Sequence, residues 1–204
     1  EATTLSANAT KDGSVVENDF DSIYPWSDII TVNILNNEVV AKYGDDAFTF
    51  DGSNGDVMTY IPPFYFKRWQ DASNEYVQIA KHHFAGSMHI DGFYIGRYTT
   101  SSGIVSKSGV TSEVNHNISW FRTHSMAKGD DWSQLDWHYF VIQYLYLVEY
   151  ANGDSQSKLG NGVCGDSAQH SSGECDSLGM RSGCLVNDSK HSVIYRGVEN
   201  WFGN

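Results

Sequence analysis

Cationic side chains are scarce in this sequence. Thirteen Lys and Arg stand against 25 Asp and Glu in 204 residues, a formal net charge of −12. Such a chain repels a phosphate backbone and has no basic run to offset the repulsion, so no nucleic-acid partner is expected. The same charge disfavours anionic lipid. Long apolar runs are missing too: none approaches the roughly 20 residues of a membrane span, so no membrane insertion is expected. Proline is rare, with three residues beside 19 glycines, which leaves turn-making to Gly, Asn, Asp and Ser.

Cysteine is equally sparse. Cys164, Cys175 and Cys184 fall in one Gly/Ser-rich stretch, and an odd count makes a poor disulfide framework. With His170 they read C-x5-H-x4-C-x8-C, four zinc-ligand types without the tight C-x2–4-C or H-x3–5-H pair of structural sites. Three unrelated thiols in a loop is the preferred reading, and no cofactor is expected. Calcium is the other metal considered, because Asp51, Ser53, Asn54 and Asp56 offer oxygens, although D-G-S-N-G-D also makes an ordinary turn.

Signatures of catalysis are wanting. There is no H-E-x-x-H, Walker-A or Rossmann glycine pattern. Gly153-Asp154-Ser155 and Gly165-Asp166-Ser167 place an acid before a serine, but neither forms a G-x-S-x-G elbow. His82, His83 and His89 lack helical pairing and read as strand and turn residues. His138 reads as a satisfied core histidine. The chain is therefore expected not to be an enzyme.

What is present is an ample stock of aromatics: six Trp, 12 Tyr and ten Phe. With a 40% hydrophobic share this supports a packed α+β domain and excludes wholesale disorder. Residues 1–18 read as an N-terminal arm or linker, and residues 19–204 as the domain. Phe20, Ile23, Tyr24 and Trp26 are expected anchors at its start. TVNILNNEVVAKY reads as a hairpin about Asn36-Asn37. FTF and then Val57, Thr59 and Ile61 read as strands, broken at Pro62-Pro63, with further strands in FYFKRW, EYVQIA and DGFYIGRY. Phe93, Ile95 and Arg97 share a face by period two.

Residues 99–117 read as a polar loop. A helix capped by Ser119 and stopped by Gly129 follows. A second, opened by Ser133 and Asp136, runs about five turns and is apolar nearly all round, so it is expected to be central and buried. Residues 152–192 read as a long polar insertion, and SVIYRGVENWFGN as a final strand and aromatic turn.

Trp69, Trp120, Trp132, Trp137 and Trp201 lie near expected element ends or loops, where aromatic faces stack on sugars or anchor protein interfaces. Trp132, Trp137, Trp201 and Arg196 are the expected ligand-binding residues. Arg196 is expected to brace Glu199 where it meets no ligand carboxylate.

The phrases DFDSIYPW, DGSNGDVMTYIPPFYFK, DGFYIGRY, YLYLVEYANGDSQSKLGNG and YRGVENWFGN, in that order, resemble a group of phage and prophage tail proteins. That group carries a C-type-lectin-like domain of the formylglycine-generating-enzyme (sulfatase-modifying-factor) type. Its relatives include the sequence-variable receptor-binding proteins of diversity-generating retroelements. The resemblance implies a C-type-lectin-like fold with short twisted antiparallel strands, two helices and long loops, located in a virion or outside the cell. It implies recognition of a bacterial cell-surface glycan or protein, contacts with other phage tail proteins and a homotrimer of the tail-fibre kind. Alternatives are a virion assembly module without a host ligand and a degenerate sulfatase-modifying-type enzyme. In the group the last phrase continues into a Trp-Glu-Trp-type strand, so the domain is expected to lack its C-terminal part at Asn204. The catalytic cysteines belong to that part, so Cys164, Cys175 and Cys184 do not inherit their role, and residues 162–186 match no pattern of the group.

Overall fold

The structure, a computed structural model, describes residues 4–151, 153–165 and 169–202. It is a mixed α+β fold with antiparallel sheets. Strands β1 (Ile30–Leu35) and β2 (Glu38–Lys42) form the expected hairpin. Asn36 and Asn37 both take the left-handed conformation, at φ 53° and 67°, which matches the twist of a two-residue hairpin turn. Strand β3 (Asp56–Ile61) pairs with β1, and β7 (Phe93–Gly96) pairs with β3, giving a four-stranded sheet in the order β2-β1-β3-β7.

Pro62-Pro63 ends β3, and the chain re-emerges as β4 (Phe64–Gln70) in a second sheet with β5 (Glu75–Ala80) and β6 (Met88–Ile90). Proline has no N–H for a ladder, so the change of sheet falls where the sequence forbids continuation. Asp71 shapes the β4–β5 turn by accepting the Ser73 and Asn74 amides, each at 2.8 Å. Trp69 and Tyr76, directly opposed across that hairpin, stack at 5.2 Å.

Several readings need correction. The FTF segment is no strand: Asn33, fully buried, bonds Thr49 N–H and C=O through its side-chain amide and so replaces a ladder. His82 and His83 lie beyond the end of β5, and His89 lies within β6 rather than on a turn. Helix α1 (Ile118–Met126) is capped by Asn117, whose Oδ1 accepts the Trp120 amide at 2.9 Å, rather than by Ser119. Helix α2 (His138–Tyr150) has 13 residues and starts later than expected, because Asp136 Oδ1 takes the His138 amide and Nδ1 just outside it. Nor is α2 buried all round. Val141, Ile142, Leu145, Tyr146, Glu149 and Tyr150 face inward, while Phe140 is 55% exposed.

The main core gathers on that inward face, with Phe20, Trp26, Ile61, Phe64, Phe66 and Ile95 contributed by the N-terminal turns and both sheets. Ile23 and Tyr24 pack against it, half-buried. Helix α3 (Ser155–Leu159) and the hairpin of β8 (Ile194–Tyr195) with β9 (Val198–Glu199) flank an otherwise irregular stretch. That stretch is no protruding insertion: Leu159, Cys175, Leu178 and Cys184 are all within 2% of full burial. Arg97, also fully buried, ties it to the four-stranded sheet by donating to Gly179 C=O at 3.0 Å and Tyr98 OH at 3.1 Å. From residue 4, the segment expected as an arm runs along the body. Thr10 is 1% exposed and exchanges backbone bonds with Ser182 and Cys184. Among the described residues no helix is long and apolar enough to cross a membrane.

Candidate functional site

A cleft of about 870 Å³ opens between the four-stranded sheet, the N-terminal end of α2 and the C-terminal hairpin. Ile34 and Met58 from β1 and β3 form part of its floor, and all four residues of β7 line it. Phe121 and Ser125 come from α1, residues 131–135 from the α1–α2 connection, and His138, Tyr139 and Ile142 from α2. Val198, Glu199, Asn200 and Trp201 close the far end.

Trp132 reaches this site because residues before α2 stay irregular. Its ring packs on Val32, Ile34 and Met58, its Nε1 donates to Asn37 Oδ1 at 2.6 Å, and Lys128 Nζ sits 4.0 Å from its ring centroid. Lys128 is itself held by Asp56 Oδ2 and Ile104 C=O, each at 2.7 Å. The hairpin turn of the β1–β2 pair, the Asp56–Lys128 ion pair and Trp132 thus fix one rim.

Trp201 marks the opposite end, its ring 5.7 Å from Tyr139 and 5.5 Å from Tyr146. Its Nε1 is buried without a hydrogen-bond partner among the described residues, and so is Oε1 of Gln134 on the same lining. One is an obligate donor and the other an acceptor, and leaving such atoms dry and unbonded is costly. Glu199, on the same lining, is buried, its oxygens accepting the Gly173 and Cys175 amides at 2.8 and 2.9 Å. Burial pushes its carboxyl up to about 7 in spite of those bonds.

The structure brings two of the four expected site residues together. Trp132 and Trp201 line the cleft; Trp137, 50% exposed, lies outside the lining with its ring on His138. Arg196 lies elsewhere, 7% exposed. Its guanidinium bonds Glu149 through Nη2 at 2.7 Å and Nε at 3.2 Å, and Asp21 through Nη1 at 2.6 Å. It therefore does not brace Glu199. The two-residue turn between β8 and β9, with Arg196 at φ 46° and Gly197 at φ 82°, aims it at α2 instead. His138 is no core histidine: it opens α2, bonds Asp136 and lies against Phe93 at 4.4 Å.

The other candidates are dispersed. Asp154 caps α3 by accepting the Ser157 amide, while Asp166 and Ser167 of the second acid–serine pair lie outside the described residues. Asp51 accepts the Ser53 amide at 2.9 Å, Asn54 donates to Ala47 C=O, and Asp56 is taken by Lys128. Cys164 is exposed, Cys175 and Cys184 are buried, and all three are free thiols. Among the described residues no three His, Cys, Asp or Glu converge as a metal site.

Gln134, Tyr139 and β7 went unrecognised as site residues. The one signal for β7 was the run Phe-Tyr-Ile-Gly, apolar and aromatic without a charge, a lack of charge that β1 shares. Chemically the cleft can hold an apolar or aromatic face between Trp132 and Trp201. No protein-family model matches the chain, and no curated protein or solved structure matches it.

Proposed function

We propose that this chain is a non-catalytic recognition domain of a phage tail protein, with a C-type-lectin-like fold, that binds a bacterial surface glycan or protein in the cleft between Trp132 and Trp201. The convergence of the two loop tryptophans Trp132 and Trp201 on one 870 Å³ cleft carries this reading. Clefts of that size, walled by aromatics with a few placed polar atoms, suit ligand binding. The resemblance to tail proteins supplies the biological setting. Arg196 belongs to the framework of this reading and not to its binding surface, because its guanidinium is already occupied.

The test is binding of the labelled chain to a panel of intact bacterial cells and their purified surface polysaccharides. Saturable binding to some strains, weakened roughly tenfold or more by Trp201→Ala with the fold retained, is the expected result. A folded sample that binds no strain would refute it. That outcome would favour the assembly-module reading, which draws on the exposed apolar side chains Leu135, Trp137 and Phe140 at the start of α2.

A further inference from the structure

We infer that the ligand of the cleft is an extended polypeptide segment that adds as a fifth strand to the outer edge of β7. This rests on the cleft being the recognition site and names the chemistry of its occupant.

The sheet order leaves β7 with a partner on one side only. Arg97 N–H donates to Val57 C=O, so the positions that bond β3 are 93, 95 and 97, and by alternation Tyr94 and Gly96 turn their backbone groups outward. Neither amide bonds any other described residue. Residues from both faces of β7, Phe93 and Ile95 on one and Tyr94 on the other, line the cleft. The cleft therefore straddles the strand edge, and an occupant meets the outward backbone groups of Tyr94 and Gly96, up to the point where Glu199 N–H takes Arg97 C=O at 2.7 Å.

Exposed strand edges invite pairing, and proteins usually blunt them with charge, bulges or cover. The opposite edge of the same sheet is blunted in this way: β2 carries Glu38 and Lys42 at its ends and a register shift faces it between Asn33 and Ile34. Phe-Tyr-Ile-Gly has no charge and an unshifted register. An added strand would match the edge by its own backbone and place alternate side chains toward the aromatic walls, the combination used in strand-addition recognition.

The experiment screens the full chain against a library of short peptides in which alternate positions sample Val, Ile, Tyr, Phe and Trp and the remainder Thr and Lys. The best binder is then remade with N-methyl groups on the edge-facing amides, which preserves its charge and side chains. Expected are amide-exchange protection of Tyr94 and Gly96 on binding, and an affinity loss of roughly tenfold on N-methylation. Tyr94→Pro is expected to lose roughly tenfold more affinity than Tyr94→Val, which removes the cleft-lining ring but keeps the amide. Relative to valine, proline at this position removes an outward N–H and no bond to β3, which an edge strand tolerates.

The proposal is overturned by a library that yields no binder, by a binder indifferent to N-methylation, or by protection of the same amides in a dimer of the chain alone. Cell or polysaccharide binding that survives Tyr94→Pro and is lost in Trp201→Ala would refute strand addition while leaving the cleft as the recognition site. Loss of neither would refute both.

Discussion

Replacing Arg196 with methionine tests the account of the buried framework most severely. Glu149 has no exposed side-chain surface, and Arg196 meets it through Nη2 at 2.7 Å and Nε at 3.2 Å. Tyr195 OH and Asn18 Nδ2 also donate to Glu149, each at 2.8 Å. Methionine restores part of the aliphatic volume but leaves a carboxylate enclosed with two neutral donors. Breaking such a pair from one side costs about 3–5 kcal/mol. Against a total of roughly 5–15 kcal/mol for a domain, that is a large share.

The neighbouring ion pair sets the contrast. Asp21 is 59% exposed on its side chain, so Asp21→Asn is expected to cost at most about 1 kcal/mol despite its 2.6 Å contact. Urea unfolding followed by tryptophan emission is the assay, since Trp26 Nε1 donates to the same Tyr195 hydroxyl at 3.2 Å. With a slope of about 2–3 kcal/mol/M, the Arg196→Met midpoint falls by about 1–2 M. Adding Glu149→Gln to Arg196→Met should recover part of the loss, because the stranded charge is removed. A single-variant loss under about 1 kcal/mol, or a double variant no better than the single, would refute the reasoning.

Two further outcomes are expected. Glu199, pushed up to about 7 by burial, binds its proton more tightly folded than unfolded. Its contribution is therefore full below the unfolded value near 4.5 and is lost as pH rises through about 7, on the order of 3 kcal/mol in all. Stability curves at pH 4.5 to 8 should flatten in Glu199→Gln, and an unchanged slope would contradict the assignment. Thiol labelling should find one fast group in the native protein, Cys164, and three after denaturation, since Cys175 and Cys184 are buried and burial pushes both thiols up. Fast native reaction at Cys175 would sink this and revive the enzyme reading.

Much of the local structure was legible because it depends on neighbours in sequence. Asn36-Asn37 tolerates the left-handed turn, Pro62-Pro63 cannot continue a ladder, and Phe20 and Trp26 have no favourable place but a core. Expectations went astray where a side chain, whether distant or close in sequence, competed for backbone groups. Asn33 captured Thr49 and removed a strand, and Asp136 bonded His138 and shortened α2. The apolar run of α2 marked a core helix, and Val141, Ile142, Leu145 and Tyr146 are buried. It did not show that Phe140 meets solvent, because a helix apolar all round reads the same whether it is enclosed or flanks an open cleft.

By itself, then, the sequence determined the α+β class, the hairpin turn about Asn36-Asn37, the presence of a core helix at α2 and the acidic character of the chain. Those follow from backbone preference, periodicity and composition, which act over a few residues or over the whole chain at once. Only the tertiary structure decided that Arg196 serves Glu149 and Asp21 rather than a ligand, and that residues 172–184 fold inward around Arg97 and Glu199. It alone placed Trp132, Trp201 and the unpaired edge of β7 along one cleft. Pairings between residues so far apart in sequence depend on chain topology, and no local preference encodes them.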